Sequence, residues 1–318
     1  MPATMTADCN DMSSATTNVF NFIYLCLVQK YVFSANPLYL CKHKNTKMQE
    51  RQIDRVRYFN ELATTCEKYF MPYISLFKPV EQGMNVLEIG CGDGGNLLPF
   101  SRKGCEVVGV DMAPSRIEVA RECFRHAGAK GQFIASDIFK ITELEHRFDL
   151  IICHDVLEHI NDKGLFLTNV SKYLSRGGMV FMSFPAWQMP FGGHQQICHN
   201  RLLSHLPFFH LLPRPVYKAI LSTAGEPQAT IDELMNIKTT RCPIELFERL
   251  SRKAGFTVCN RRLYFINPHY EVKFGLRPRL LMPFIGNIPW VRNFFTTSCF
   301  YILQPGSKQA APANRQKA

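Results

Sequence analysis

Short apolar runs alternate with amphipathic runs between residues 85 and 185. The apolar runs, rich in β-branched and aromatic residues, predict strands: NVLEIG, CEVVGVD, QFIASD, FDLIICHD and GGMVFMSFP. Between the second and third runs, APSRIEVARECFRHAG has a proline in its first turn and places Ile117, Ala120 and Phe124 on one helical face. Alternating strands and helices predict an α/β fold built on a doubly wound, mostly parallel sheet.

The pattern extends in both directions beyond this region. A helix is expected from Met48 onward, because its apolar residues recur at helical spacing: Ile53, Val56, Phe59, Leu62 and Cys66. After Pro185 the alternation stops, and two further strands follow, TVCNRRLYFIN and TTSCFYIL. We therefore expect a seven-stranded sheet in one domain, 48–304, with a lid insertion at 186–240 and a basic, apolar insert at 268–293, between strands 6 and 7.

The two ends of the chain show no such pattern. Residues 1–47 are expected to be a loose extension, or translation from an upstream start, and 305–318 a disordered tail. The apolar stretch 19–33 is interrupted by Gln29 and Lys30, which makes it short for a membrane span and atypical of a signal peptide.

Charge is distributed unevenly along the chain, whose net charge is +11. Residues 1–185 carry 20 basic and 20 acidic side chains, whereas 186–318 carry 17 basic and 6 acidic ones. The second half is therefore expected to meet an anionic partner. The 12 cysteines include no C-x-x-C pair, which favours reduced thiols and a cytoplasmic protein, with peripheral membrane contact as the alternative location.

The first strand ends in a glycine-rich loop, VLEIGCGDGG. Gly90, Gly92 and Gly95 fit the G-x-G-x-x-G spacing that holds a dinucleotide pyrophosphate. Yet Glu88 and Asp93 place carboxylates in or beside the loop, where they would repel a phosphate. A ligand with a sulfonium and an ammonium group is favoured instead, which indicates S-adenosylmethionine.

Two further carboxylates follow strands that end at the same edge of the sheet. Asp111 ends the second strand, where an acid accepts hydrogen bonds from both ribose hydroxyls. Asp137 follows the third strand, where it is placed to accept from the adenine amino group while Ile138 packs on the ring.

This ordered set of motifs resembles the class I S-adenosylmethionine-dependent methyltransferases, in the subgroup of small-molecule enzymes of quinone-biosynthesis type. The resemblance covers about residues 80–185 and implies a Rossmann-like methyltransferase fold. It implies that Glu88, Gly90, Gly92, Asp111 and Asp137 bind the cofactor, together with their neighbours Cys91, Met112 and Ile138. It also implies that His154 and Asp155, at the end of the fourth strand, line the methyl-transfer site.

Each of these residues also has a purely structural interpretation. Glu88 is also interpretable as a solvated strand-end acid, Asp111 as a helix cap and Asp137 as a turn residue. His159, in DVLEHI, is equally interpretable as a packing residue or as a substrate contact.

The acceptor side is expected after the fifth strand, where FGGHQQ combines a glycine hinge with polar side chains. We expect Gln195, Gln196 and His159 to contact substrate, and His154 and His194 to serve as catalytic bases if the acceptor is a hydroxyl. Ordinary packing is the alternative. The histidines of this segment are spaced unlike a standard metal site, so no metal is expected: 194, 199, 205 and 210.

The sequence indicates only the broad chemical class of the methyl acceptor. The fourth strand ends in Cys153, His154, Asp155 and Val156 rather than in the Asn/Asp-Pro-Pro-aromatic sequence that holds planar amines, which favours oxygen. We expect a small-molecule, lipid or glycan acceptor and no nucleic acid. Basic and apolar residues of the insert predict a rim facing an anionic amphiphile, unless it is a packed crossover: Lys273, Arg277, Arg279, Leu280, Leu281, Phe284, Ile285, Trp290 and Arg292.

Two other functions remain open from the sequence. One is an NAD-dependent oxidoreductase that shares the glycine pattern, which the loop acids disfavour. The other is a catalytically inactive methyltransferase-like partner protein, which would bind the cofactor weakly and lack an ordered acceptor pocket.

Overall fold

A computed structural model describes residues 54–306, whose core is one eight-stranded sheet. The extension 1–47, the apolar stretch 19–33, residues 48–53 of the predicted first helix and most of the tail lie outside the described residues. The strand order is β3-β2-β1-β4-β5-β8-β6-β7. The strands are β1 Asn85–Ile89, β2 Glu106–Asp111, β3 Gln132–Ala135, β4 Phe148–His154, β5 Leu174–Phe184, β6 Phe256–Ile266, β7 Arg279–Leu280 and β8 Ser298–Pro305.

The predicted doubly wound, mostly parallel α/β fold is confirmed. Strands β1 to β5 are mutually parallel, and β8 and β6 extend the sheet in antiparallel fashion. The sheet has eight strands rather than the seven expected, because the two-residue strand β7 forms inside the insert and pairs with β6. A strand of two residues is too short to show the alternation of apolar and polar positions by which strands are recognised in a sequence. Strand β8 also continues through Pro305, into the predicted tail.

The register of the sheet brings the ends of its central strands together. Strand β1 pairs with β2 on one side, Ile89 opposite Val110, and with β4 on the other, Ile89 opposite Cys153. The strand order reverses between β1 and β4, so this is the switch point at which such sheets bind their ligands.

Helices cover the faces of the sheet and form much of the region after β5. Among residues 54–306, none of them combines the length and the apolar character that crossing a bilayer requires. The helices are α1 Arg55–Thr65, α2 Met71–Ser75, α3 Leu98–Arg102, α4 Pro114–His126, α5 Lys163–Tyr173, α6 Arg201–His205, α7 Arg214–Thr223, α8 Gln228–Thr240, α9 Ile244–Lys253, α10 His269–Phe274, α11 Pro283–Gly286 and α12 Val291–Phe295.

The two helices predicted in most detail form as expected over most of their length. Helix α4 begins at Pro114 and buries Ile117, Ala120 and Phe124. Helix α1 buries Phe59 and Leu62 and runs through a π-helical turn, Cys66–Phe70, into α2. Val56, one of the apolar residues at helical spacing, lies in the first turn of α1 and is 61% exposed.

Residues 186–240 pack around a small core of their own. Tyr217 of α7 and Leu234 of α8 lie at its centre and are fully buried. They pack with apolar residues from both ends of the segment: Cys198, Leu203, Phe209, Leu221, Ile231 and Met235. The segment is therefore a small helical unit rather than an irregular loop.

The insert 268–293 is partly buried, which corrects the rim expected there. Arg292 is 5% exposed and forms ion pairs with Glu245 and Glu248 of α9, at 2.9 and 3.0 Å. Leu281 and Ile285 are also buried. These three residues anchor the insert, and the exposed residues that remain of the predicted set include Leu280, Phe284 and Trp290.

Candidate active site

A cavity of about 430 Å³ opens at the carboxyl edge of the sheet, beside the ends of β1, β2, β3 and β4. Eleven of the predicted site residues line it: Glu88, Gly90, Cys91, Gly92, Asp111, Met112, Asp137, Ile138, His154, Asp155 and His159. Its volume lies within the range of ordinary ligand pockets. The motifs that are separated along the sequence therefore meet in one cavity.

Glu88 is the most deeply buried acid of the cavity. Its Oε1 accepts a hydrogen bond from the Asn96 side chain at 2.7 Å, whereas its Oε2 has no partner among the described residues. Burial raises the pKa of Glu88 to about 8, with a smaller contribution from Asp111 and an opposing one from Asn96. A cation brought next to the free oxygen would offset this burial.

Asp93, the second acid of the glycine loop, is placed differently from the expectation. It is fully buried and lies outside the cavity lining. Its carboxylate pairs with Arg116 at 3.0 Å and with Arg55 at 3.5 Å. Asp93 therefore holds the loop against helices α1 and α4, and three of the four loop and strand-end carboxylates, not all four, face the ligand space.

The glycines of the loop leave room for backbone to approach a ligand. Gly90 and Gly92 have φ angles of +71° and +52°, in the left-handed region. A Cβ on Gly90 would lie 2.3 Å from Val156, and one on Gly92 would lie 2.6 Å from Arg116. A side chain at either position would clash with the wall of the cavity.

Asp111 closes the glycine loop and still faces the cavity. Its Oδ2 accepts from the Gly92 amide and its Oδ1 from the Ala113 amide, both at 2.9 Å. A carboxylate offers about four acceptor sites, so one remains on each oxygen. The residue is thus a partner of the loop and of the start of α4, as the structural interpretation held, and it keeps acceptor sites that face the cavity.

Asp137 and Ile138 form the far wall of the cavity. The Asp137 Oδ1 caps the 3-10 turn Ile138–Lys140 by accepting from the Phe139 amide at 3.1 Å. Ile138 is buried, and Ser136 and Phe139 line the same wall. An acceptor group between a buried aliphatic and an aromatic side chain suits a flat heterocycle.

His154 and Asp155 occupy the end of β4. The His154 ring packs against Phe70, with ring centroids 4.9 Å apart, and its Nε2 lies 3.6 Å from Asp155 Oδ2. Asp155 has a φ of +53° and an exposed side chain. Asp155 therefore stands at the mouth of the cavity, whereas the His154 side chain, 8% exposed, is nearly buried.

His194 approaches His159 from the start of the 186–240 segment. The two rings are 5.3 Å apart, and His194 Nε2 lies 4.0 Å from the buried Glu158 Oε1, which is too long for a hydrogen bond. Burial lowers the pKa of His194 to about 4. Because a general base works best near the operating pH, this pKa argues against the base role predicted for His194.

No metal was expected from the sequence, but the fold assembles a group of side chains that could hold one. The ligand atoms of Glu158, His159 and His194 all lie within 4.8 Å of one another. Spacing along the chain misses this group, because His194 is brought in from another segment.

The sequence model of a family described as a methyltransferase domain matches residues 80–239, which is half of the chain. The chain belongs to this methyltransferase family. The match covers the strands and loops that build the cavity, and it confirms the membership indicated by the motifs. S-adenosylmethionine, the cofactor inferred from the loop acids, is the methyl donor that this family membership supports.

Individual relatives resemble the chain over its central part. It is 33% identical over 102 residues to a ubiquinone biosynthesis O-methyltransferase of Azorhizobium caulinodans, covering 32% of this chain and 40% of that protein. A protein of the same description from Chelativorans sp. is 35% identical over 106 residues, covering 33% of this chain and 42% of that protein. The chain thus spans less than half the length of these relatives.

A solved structure confirms the fold. It is described as a putative sarcosine dimethylglycine methyltransferase from Galdieria sulphuraria, and it aligns with a TM-score of 0.50 at 14% identity. The alignment covers 75% of this chain and 84% of that chain.

Gln195 and Gln196, predicted to contact substrate, lie outside the lining of the cavity. Gln195 is fully buried, and its Nε2 donates to the carbonyls of Pro190 and Leu206 at 2.8 and 3.2 Å. Gln196 is half-buried. Gln195 therefore holds the backbone of the 186–240 segment together, which replaces its predicted role.

Sequence reasoning missed several residues of this methyltransferase site. Tyr58 of α1 lines the cavity, and burial, with a smaller effect of Asp155, raises its pKa to about 12. Asn96 and Arg116 also line it, as partners of Glu88 and Asp93. Glu158 could have been noticed in the sequence, because it lies between Asp155 and His159 in the motif DVLEHI. Its burial, however, is visible only in the structure.

Proposed function

We propose that the protein transfers a methyl group from S-adenosylmethionine to a hydroxyl oxygen of a small-molecule acceptor. The observation that carries the proposal is the buried Oε2 of Glu88, which has no partner among the described residues and lies in a cavity also lined by Asp111, Asp137 and Asp155. Such a site disfavours phosphate and favours a cationic nucleoside.

The residues of the cavity divide between the parts of this cofactor. Glu88 would hold its ammonium group, Asp111 its ribose hydroxyls and Asp137 its adenine amine, while Ile138 packs on the ring. When bound, S-adenosylmethionine supplies the methyl group, and its sulfur keeps the electron pair of the broken carbon–sulfur bond. The protein's contribution is to align the acceptor and exclude water.

The end of β4 supports an oxygen acceptor. Asp155 is exposed at the mouth of the cavity, and its carboxylate lies 3.6 Å from the nearly buried imidazole of His154. A hydroxyl proton taken up here can pass to solvent through Asp155. The sequence Cys153 to Val156 offers none of the prolines by which related enzymes hold planar amines. We assign proton uptake to this pair rather than to His194, whose pKa burial lowers to about 4.

An amphiphilic acceptor at a membrane surface is the finer form of the proposal. Large apolar side chains are exposed on both segments that flank the site, and Phe208 of one segment contacts Phe294 next to the other, with ring centroids 6.3 Å apart. These side chains are Leu202, Leu206, Phe208, Leu280, Phe284, Ile288, Trp290 and Phe294. A surface of this kind, with arginines at 277 and 279 nearby in sequence, suits a lipid or lipid-linked glycan.

The test is a screen of hydroxyl-bearing acceptors with isotope-labelled methyl donor, using lipid, glycan and soluble-metabolite extracts. We expect a labelled methyl ether in one fraction. Asp155→Asn should lower turnover at least about a hundredfold while leaving cofactor affinity within twofold. Labelled products that carry the methyl group on nitrogen or carbon would contradict the oxygen acceptor.

A further inference from the structure

Lys238, near the end of α8, is a half-buried cation whose ammonium is fixed in place. It donates to the His210 carbonyl at 2.6 Å and lies over the rings of Trp187 and Tyr217, at 5.7 and 5.4 Å from their centroids. The carbonyl uses one of the three donors of the ammonium, so two remain. Among residues 54–306, no acid pairs with Lys238. The ammonium is therefore held in a defined position with donors left for a ligand.

Two arginines stand beside Lys238 and form a basic cluster with it. Arg214, the first residue of α7, donates from Nη1 to the Thr239 hydroxyl at 3.1 Å, and Arg241 directly follows the last residue of α8. Both are exposed, and neither pairs with an acid in the described part of the chain. Desolvation lowers the pKa of Lys238, and the charges of Arg241 and Arg214 are close enough to lower it further. The carboxyl end of α8 supplies about half a negative charge against three positive ones, so the cluster favours an anion.

The end of α8, which carries the cluster, contacts the turn that follows β4. Thr240 lies between Lys238 and Arg241 in the sequence. Its hydroxyl donates to the Glu158 carbonyl, and the next residue of the turn, His159, lines the cavity. The segment that carries the cluster is therefore joined directly to the wall of the cavity.

Trp187 places the cluster at the same edge of the sheet as the cavity. It follows the carboxyl end of β5 in the chain, and its carbonyl accepts from His210 Nε2 at 2.8 Å. Strands β4 and β5 are parallel, so their carboxyl ends share one edge, and Asp155 directly follows β4 there. A molecule whose hydroxyl lies at Asp155 can therefore extend along this edge toward Lys238.

We propose that Arg214, Lys238 and Arg241 bind a phosphate group of the methyl acceptor while the acceptor hydroxyl lies at Asp155. The binding site stands on the contacts of the cluster, and only its part in methylation rests on the proposed function. Guanidinium groups bind phosphate through parallel N–H donors, and an ammonium binds it as a point charge. The ligand class is a phosphate monoester that also carries a hydroxyl group, either linked to a lipid or soluble.

The experiment is calorimetric titration of the full-length protein with inorganic phosphate. We expect one site with a Kd of about 1 mM or tighter. Arg214→Gln and Arg241→Gln, both at exposed positions, should each weaken binding at least about fivefold, because each removes a charge-assisted contact. Arg249→Gln, which removes the same charge from an exposed position on α9, should leave the affinity within about twofold, because solvent screens a charge outside the cluster.

A second titration distinguishes the two sources of phosphate. Dodecyl phosphate below its micelle concentration should bind at least about tenfold more tightly than inorganic phosphate if the acceptor is linked to a lipid, because its chain can be buried against the exposed apolar side chains of the 186–240 segment. Equal affinities would indicate a soluble phosphorylated acceptor. Either result supports the site, provided that both arginine variants weaken the binding.

Cofactor binding separates this proposal from the proposed function. S-adenosylmethionine affinity should stay within about twofold in both arginine variants, because Glu88 and Asp111 are unchanged, and this also shows that the variants are folded. For an acceptor found in the screen, both variants should raise KM with little change in kcat.

Absence of phosphate binding, or equal phosphate affinity in all three variants, would overturn the anion site. An unchanged KM for the acceptor would overturn the part of the site in acceptor binding. Phosphate binding by a protein that does not bind S-adenosylmethionine would overturn the proposed function instead.

Discussion

Asn96 donates a hydrogen bond to one carboxylate oxygen of Glu88, at 2.7 Å, and the other oxygen is buried without a partner among residues 54–306. The pair therefore holds the carboxylate in position without satisfying it. An arrangement of this kind lowers the stability of the free protein and is compensated when a cation binds.

The Glu88→Gln variant tests whether the buried carboxyl group lowers the stability of the free protein and strengthens cofactor binding. The folded pKa of about 8 exceeds the ordinary carboxyl value, so the native state binds more protons than the unfolded state, and stability falls as pH rises toward 8. Without cofactor at pH 9, the variant should melt at least about 2 °C higher than wild type. With S-adenosylmethionine, its affinity should be at least about tenfold weaker.

Calorimetry of the wild type at pH 7 in buffers of different ionisation enthalpy provides a second readout. Cofactor binding should release a proton from Glu88, and the release should be smaller in Glu88→Gln. Equal proton release by both proteins, or a lower melting temperature for the variant at pH 9, would show that Glu88 is not the desolvated acid described here.

Asp111 should contribute two charge-assisted hydrogen bonds to the cofactor. Asp111→Asn keeps an oxygen for one backbone amide but removes the charge, so S-adenosylmethionine affinity should fall at least about tenfold. Asp149→Asn is the matched control, since Asp149 is bonded to Asn85 and Ser175 and lies outside the cavity lining. Equal affinities by isothermal titration would remove Asp111 from the binding site.

Lys163 should act as a structural clamp between the Glu158 turn and α8. Lys163 is 4% exposed, its ammonium donates to two carbonyls, and desolvation lowers its pKa. Lys163→Met would leave both carbonyls without this donor, at about 1 to 3 kcal/mol each. The melting temperature should fall by at least about 4 °C, whereas Lys172→Met, an exposed residue of the same helix, should leave it within 1 to 2 degrees. An unchanged melting temperature in Lys163→Met would refute the clamp.

The exposed apolar surface should bind anionic bilayers. The protein should sediment with phosphatidylglycerol vesicles at low salt and less at high salt, since screening weakens its cationic contacts. The double variant Leu280→Ser and Trp290→Ser should bind at least about tenfold more weakly. Leu165→Ser, equally exposed on α5, is the control. Indifference of the wild type to such vesicles would favour a soluble acceptor.

Most of the cofactor side of the site follows from the sequence alone. Glu88, Asp111 and Asp137 end or follow consecutive parallel strands, and such ends meet at one edge whatever the details of packing. Periodicity likewise fixed the buried face of α4, because its apolar residues recur at a single period over the whole helix.

The acceptor side follows much less well, because it depends on contacts between distant segments. Asp93 faces away from the ligand because Arg55 and Arg116 reach it from two helices, which loop spacing does not encode. Gln195 turns inward to bind the carbonyls of Pro190 and Leu206, and His194 meets Glu158 across 36 positions of sequence. Neither the periodicity of apolar residues nor the spacing within a motif indicates which distant residues come into contact.

The most direct test of the account is calorimetric titration of the wild-type protein with S-adenosylmethionine and, separately, with NAD. The cavity acids predict one S-adenosylmethionine site per chain with micromolar or tighter affinity, and no measurable heat with NAD, because the carboxylates of Asp111 and Asp137 in the lining repel a pyrophosphate. Binding of NAD together with indifference to S-adenosylmethionine would contradict the central claim.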